Sequence, residues 1–134
     1  MKVIKNVLFV SLIVATVFAV SCKNTAEKIK GDWTLESTEV TGGSNADPSM
    51  VDMMKQIYSG MNGQIWSFTQ AEYKLGWANA GGVWYYDKNT KDIVMNSEYG
   101  EQKMKVEKID SEKMVLSSET SDGIKITHYL HKNK

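Results

Sequence analysis

The chain has 134 residues with 16 basic and 16 acidic side chains, two histidines and one cysteine, and every basic residue is lysine. The absence of arginine and of any cationic surplus argues against nucleic acid as a partner, and against a bidentate clamp for phosphate or carboxylate. A lone thiol cannot close a disulfide within the chain, so a fold built from it has to hold by packing and backbone pairing.

The first segment carries Lys2 and Lys5 with no acid, followed by Val7 to Val20, an apolar run interrupted only by Ser11 and Thr16. A spanning helix needs about 20 apolar residues, so this run is too short to be one and is expected to be an export signal over residues 1–21. Ala19-Val20-Ser21-Cys22 then resembles the lipobox of bacterial lipoproteins. That resemblance implies a diacylglycerol thioether on Cys22, which makes the membrane a partner through the anchor and removes the thiol from catalysis, metal binding or redox pairing. Acyl chains contribute about 0.8 kcal/mol per buried methylene, enough for two or three of them to hold the protein permanently. Lys23 is not the aspartate that retains many such proteins at the inner membrane, which favours the outer membrane, facing the periplasm, as the location. Surface display would need further signals.

Residues 22–30 are expected to be a lipidated tether and 31–134 one domain. Without Lys2 and Lys5 the 16 bases become 14 against 16 acids, leaving the exported chain near −2. From Gly31 onward the apolar residues alternate with the two-residue period of half-buried strands. Eight such runs stand out, at 32–40, 64–69, 73–78, 83–86, 92–96, 102–109, 113–118 and 124–131. The segments between them are short and rich in turn formers, among them Asn79-Ala80-Gly81-Gly82, Asp87-Lys88-Asn89-Thr90 and Ser121-Asp122-Gly123. Connections this short force antiparallel neighbours, because a parallel crossover needs a dozen residues or more. Eight strands in one meander, with no disulfide, hide both edges by closing on themselves. The predicted fold is all-β, a single eight-stranded antiparallel up-and-down barrel.

Parity assigns the inner face. Trp33, Leu35, Trp66, Phe68, Tyr73, Leu75, Trp77, Trp84, Tyr86, Met104, Met114, Leu116, Ile126 and Leu130 share it, and Thr34, Glu36, Lys103, Lys105 and Lys125 stand opposite. His128 has inward parity, as a hydrogen-bonded core histidine or as a polar contact in a pocket. His131 belongs with the solvent. The exception to the two-residue period is 46–62, in the long connection between the first two strands. Asp47 can cap a helix starting at Pro48, and Met50, Met53, Met54, Ile57, Tyr58 and Met61 recur at three- and four-residue spacing. This one short helix is expected either to plug one barrel end or to serve as a movable methionine-rich lid.

Gly31-Asp32-Trp33, within Ile29-Lys30-Gly31-Asp32-Trp33-Thr34-Leu35-Glu36-Ser37, matches the Gly-x-Trp motif that opens the first lipocalin strand. Together with the spacing from Trp66-Ser67-Phe68 through Tyr73 to Gly82-Val83-Trp84-Tyr85-Tyr86, residues 28–132 resemble the small lipocalin-like lipoproteins of Gram-negative bacteria. The resemblance implies a cup whose closed end rests on the structural pair Gly31 and Trp33, with the first inter-strand connection folded across the mouth. Lipocalins place an arginine against that tryptophan after the last strand, a position for which this chain offers His131 or Lys132. It also implies a small hydrophobic ligand, for which Trp66, Phe68, Tyr73, Leu75, Trp77, Trp84, Tyr86, Met104 and His128 would form the wall.

Catalytic motifs are missing: there is no His-Glu-x-x-His, no Gly-x-Ser-x-Gly and no lysine after the glycine-rich loop at 76–82. No enzyme activity, no cofactor and no metal are expected. Besides a carrier, two alternatives remain: an inhibitor-like protein-interaction module acting through loops, with no partner specified by the sequence, and a copper-stress sensor using methionine and histidine.

Overall fold

The structure, a computed structural model, describes residues 24–76 and 80–134. The expected export signal, Cys22 and Trp77 lie outside the described residues. Within them the chain runs α1 (Thr25–Ile29), β1 (Gly31–Gly42), α2 (Pro48–Ser59), β2 (Ile65–Phe68), β3 (Glu72–Leu75), β4 (Ala80–Asp87), β5 (Asp92–Ser97), β6 (Gly100–Ile109), β7 (Lys113–Glu119) and β8 (Ile124–Lys132). The strands form a closed barrel in sequence order, every neighbour antiparallel, with β1 also pairing β8. This is the expected eight-stranded meander with its single helix between the first two strands.

Three local departures have physical causes. Strict alternation along β1 puts Thr38 on the outside with Glu36, but a bulge lies between Leu35 and Ser37. Leu35 pairs with Leu130, and Thr38, three residues on, pairs with His128, two residues back. The inserted residue reverses parity, so that Val40 is buried and Thr38 half-buried while Glu36 and Ser37 are both exposed. A second bulge between Val106 and Lys108 does the same for Ile109. The third departure is Gly81-Gly82, read from sequence as part of a turn and found inside β4. A side chain at Gly81 would come within 2.9 Å of the Tyr73 carbonyl, and one at Gly82 would run into that of Asn96, so both glycines permit close strand approach.

Residues 24–30, expected as part of a tether, are folded. Asn24 caps α1 by accepting from the Ala26 amide at 2.9 Å, and Ile29 is fully buried. The Trp33 indole donates to the Ile29 carbonyl at 2.8 Å, tying the short helix under the barrel. The principal core is continuous with this end. It joins Ile29, Trp33 and Leu35 to Phe68, Tyr73, Trp84, Ile93, Met95 and Met114. A smaller cluster of Val40, Val51, Ile124 and Ile126 occupies the opposite end, where α2 rests on β1 and β8.

Candidate functional site: a pocket beneath the mouth helix

The two barrel ends differ in how they are filled. At the first, Lys132 closes the structure. Its ammonium donates to the carbonyl of Lys30 and, at 3.3 Å, to that of Lys28, two of the acceptors left open where α1 ends. The same ammonium lies 4.8 Å from the centre of the Trp33 ring, a cation–π contact. Of the two residues offered for that position it is Lys132 that takes it; His131 is half-exposed, with Nδ1 2.7 Å from Glu36 Oε1. Gly31 is needed here twice over. Its φ is +126°, and a Cβ would lie 2.7 Å from the Lys132 Cε.

At the other end α2 sits inside the rim. Asp47 caps it as expected, accepting from the Ser49 amide at 3.0 Å and the Ser49 hydroxyl at 2.8 Å, and these bonds hold its carboxyl below the usual range. The helix is rotated relative to the stripe read from sequence. Val51, Met54 and Tyr58 pack against Val40, Ile124 and Ile126, whereas Met50, Met53 and Ile57 face solvent, Met53 at 49 % exposure. Of the six residues expected in a lid, Met54, Tyr58 and Met61 therefore meet the barrel and three do not. Gly42 makes the seat possible, since a Cβ there would lie 2.8 Å from Val51 Cγ2.

Because the helix leans on the β1 and β8 side, a pocket of about 170 Å³ opens on the other side of the mouth. Tyr58 and Met61 line it from above, and Trp66, Leu75, Met104 and His128 from the barrel wall. Its remaining lining, Gln64, Ala80, Gln102 and Ser118, comes from strand ends and the chain leading into β2. Among the described residues no charged side chain lines it. His128 is only 2 % exposed, and burial depresses its pKa to about 4, leaving the imidazole neutral. Its Nδ1 lies 2.9 Å from the Thr38 hydroxyl, the contact that the β1 bulge creates. The imidazole meets Trp66 at 4.9 Å and Tyr58 at 5.5 Å, both edge to face. Burial also raises the pKa of the Tyr58 phenol, so it too is neutral. Two donors in this wall, Trp66 Nε1 and Gln64 Nε2, are buried without a hydrogen-bond partner.

Of the nine residues expected to form a ligand wall, the structure brings Trp66, Leu75, Met104 and His128 to this pocket. Phe68, Tyr73, Trp84 and Tyr86 do not line it; they pack in the core with Trp33, a cluster that Trp66 and Met104 join from the pocket side. Trp84, for example, stacks edge to face on Phe68 at 5.4 Å and donates to the Thr69 carbonyl at 2.9 Å. Sequence reasoning missed Thr38, Gln64, Gln102 and Ser118. Inward parity already held Gln102 in register with Met104 and Ser118 with Leu116, but polar side chains at strand ends carry no apolar signal. Among the described residues no group of three or more His, Cys, Asp or Glu side chains is placed to hold a metal.

Fold and pocket together define a closed eight-stranded barrel that is packed solid at one end and hollow beneath a helix at the other. No protein-family model, curated protein or solved structure matches the chain.

Proposed function

We propose that this protein is a lipid-anchored binder of a small, largely apolar molecule, of the lipocalin-like lipoprotein kind, and that the pocket beneath α2 is where it binds. One observation carries the reading: a pocket with aromatic and thioether walls survives in a barrel whose other half is tightly filled. Ligand sites are typically concave, apolar and marked by a few polar groups, which is the composition found here. Trp66, Leu75, Met104 and His128 form the wall, and Tyr58 and Met61 the cover.

Anchoring gives the arrangement a direction. Cys22 precedes the first helical residue, Thr25, by three residues, a reach of about 10 Å at full extension. A lipid on Cys22 would hold the α1 end against the bilayer and turn the mouth outward, favouring capture of solutes over extraction of membrane lipid. The test is mass spectrometry of the delipidated protein purified from its own host. A stoichiometric small apolar molecule is expected, lost in a variant with Met104→Trp filling the pocket. Recovery of an empty barrel with that of the variant unchanged would overturn the reading.

A second reading is favoured by the outward side of α2. Met50, Met53 and Ile57 form an exposed apolar ridge, and Tyr99, at 91 % exposure, stands in a loop at the same end. An interaction module of the inhibitor type would use such a rim, and the same purification would then yield a stoichiometric protein instead.

A further inference from the structure

We propose that the pocket selects an uncharged, flat, single-ring-sized molecule bearing a hydrogen-bond acceptor such as a carbonyl oxygen, recognised by the Trp66 indole N–H and the Gln64 amide. This rests on the reading of the pocket as a binding site and deepens it by naming the ligand's chemical class.

Size sets the first limit. Drug-sized ligands fill sites of about 300 to 1,000 Å³, and an apolar cavity of about 150 Å³ takes up benzene. At about 170 Å³ this pocket holds one substituted ring and cannot enclose a membrane lipid. Charge sets the second. No ionised side chain among the described residues lines the wall, Tyr58 and His128 are both held neutral, and a buried ion without a counter-charge is strongly disfavoured. Shape is the third: three ring side chains, Tyr58, Trp66 and His128, line the pocket, and an aromatic guest can lie against them.

Polarity decides between hydrocarbon and acceptor. Buried donors are nearly always paired, yet Trp66 Nε1, in a side chain 4 % exposed, and Gln64 Nε2 are both orphaned, and both belong to residues of this one wall. They are the only two orphaned side-chain nitrogens or oxygens among the described residues. Indole N–H can only donate, so whatever completes this site brings an acceptor. The Gln64 carboxamide oxygen lies beside Gly76, where a Cβ would run into it, so glycine is what leaves room for this side chain. Two N–H dipoles also disfavour a metal cation, although Met61, Met104 and His128 supply donors that Cu(I) accepts.

The experiment compares acetophenone with cumene, which has the same ring and nearly the same shape but no acceptor, together with benzoate and Cu(I). Each is titrated calorimetrically into the full chain in lipid nanodiscs, with empty nanodiscs as blank. Acetophenone is expected to bind at least about tenfold more tightly than cumene and to shift the Trp66 indole proton in the NMR spectrum. Trp66→Phe and Gln64→Leu should each weaken acetophenone about three- to tenfold while leaving cumene within about twofold; if one variant fails to fold, the other still decides. Cumene binding as tightly as acetophenone would overturn the acceptor and leave the pocket a general apolar site. Tighter binding of benzoate or of Cu(I) would overturn neutrality. Binding of none of the four would remove the pocket reading along with the inference.

Discussion

The two ends of this barrel are built from similar residues and solve opposite problems. At the α1 end the Trp33 indole has the Ile29 carbonyl, and the Lys132 ammonium has the carbonyls of Lys28 and Lys30 and the face of Trp33. The neighbour of Trp33 across the strand pair, Trp66, is almost as deeply buried but has no partner for its N–H and faces the pocket with a neutral histidine. Both tryptophans are inward on the first strand pair, where Trp33 lies directly across from Trp66 in register. What separates them is their cover. A five-residue helix with one deeply buried isoleucine seals the first end, whereas a twelve-residue helix seated to one side leaves the second half open. The partnered tryptophan lies in the filled half, and the unpartnered one lines the pocket.

Mutations can break that contrast in order of size. Trp33→Ala should cost about 3–5 kcal/mol, since it opens a cavity in the solid half and orphans the Ile29 carbonyl, a large part of the ~5–15 kcal/mol holding a small domain. Urea denaturation monitored by circular dichroism would show the midpoint fall. A loss within 1 kcal/mol would mean that the two ends are equally loose.

The next effect belongs to the open end and depends on pH. His128 is neutral in the fold because burial lowers its pKa from 6.5 to about 4. As the pH falls below 6.5 the unfolded chain gains a proton that the folded chain refuses, so stability drops across the window from 6.5 to 4, by about 3 kcal/mol in all. His128→Phe should flatten that part of the profile, measured as the difference between the two proteins' urea midpoints from pH 7 to 4.5. Identical slopes would show that the imidazole is already solvated.

Smaller again is the seal. Lys132→Met should cost about 2 kcal/mol through lost charge-assisted bonds to α1 and the lost contact on Trp33, while His131→Gln, removing only an exposed pair with Glu36, should cost under about 1 kcal/mol. Equal losses would erase the distinction between the neighbours. Smallest is Met53→Gln on the outward face of α2, expected within about 0.5 kcal/mol by thermal denaturation. A marked loss there would show that the ridge packs against something in the folded protein.

Much of this architecture was readable in advance, and for a definite reason. The period-two pattern and the turn residues at 87–90, 110–112 and 121–123 act locally, and short connections leave antiparallel pairing as the only option. Asp47-Pro48 announced the start of α2 for the same reason, because a cap is made by residues that are neighbours in the chain. The site was legible only in part. Trp66, Leu75, Met104 and His128 were placed by parity, but parity cannot say how far along the barrel a side chain sits, so it could not separate them from Phe68, Trp84 and Tyr86 in the filled half. The spacing of Met50, Met53 and Ile57 marked an apolar stripe but not which side of the helix would be seated.

Sequence alone determined that the chain alternates, turns tightly, closes into eight strands and buries tryptophans, because these follow from interactions between near neighbours and from the need to hide edges and apolar surface. Only the tertiary structure decided that one inserted residue in β1 turns Thr38 toward His128, that Lys132 rather than His131 reaches Trp33, and that α2 rests off-centre above an unfilled space. Those outcomes depend on where distant segments meet. Pairing 90 or more residues apart is set by the summed packing of the whole barrel, and no local pattern carries that sum.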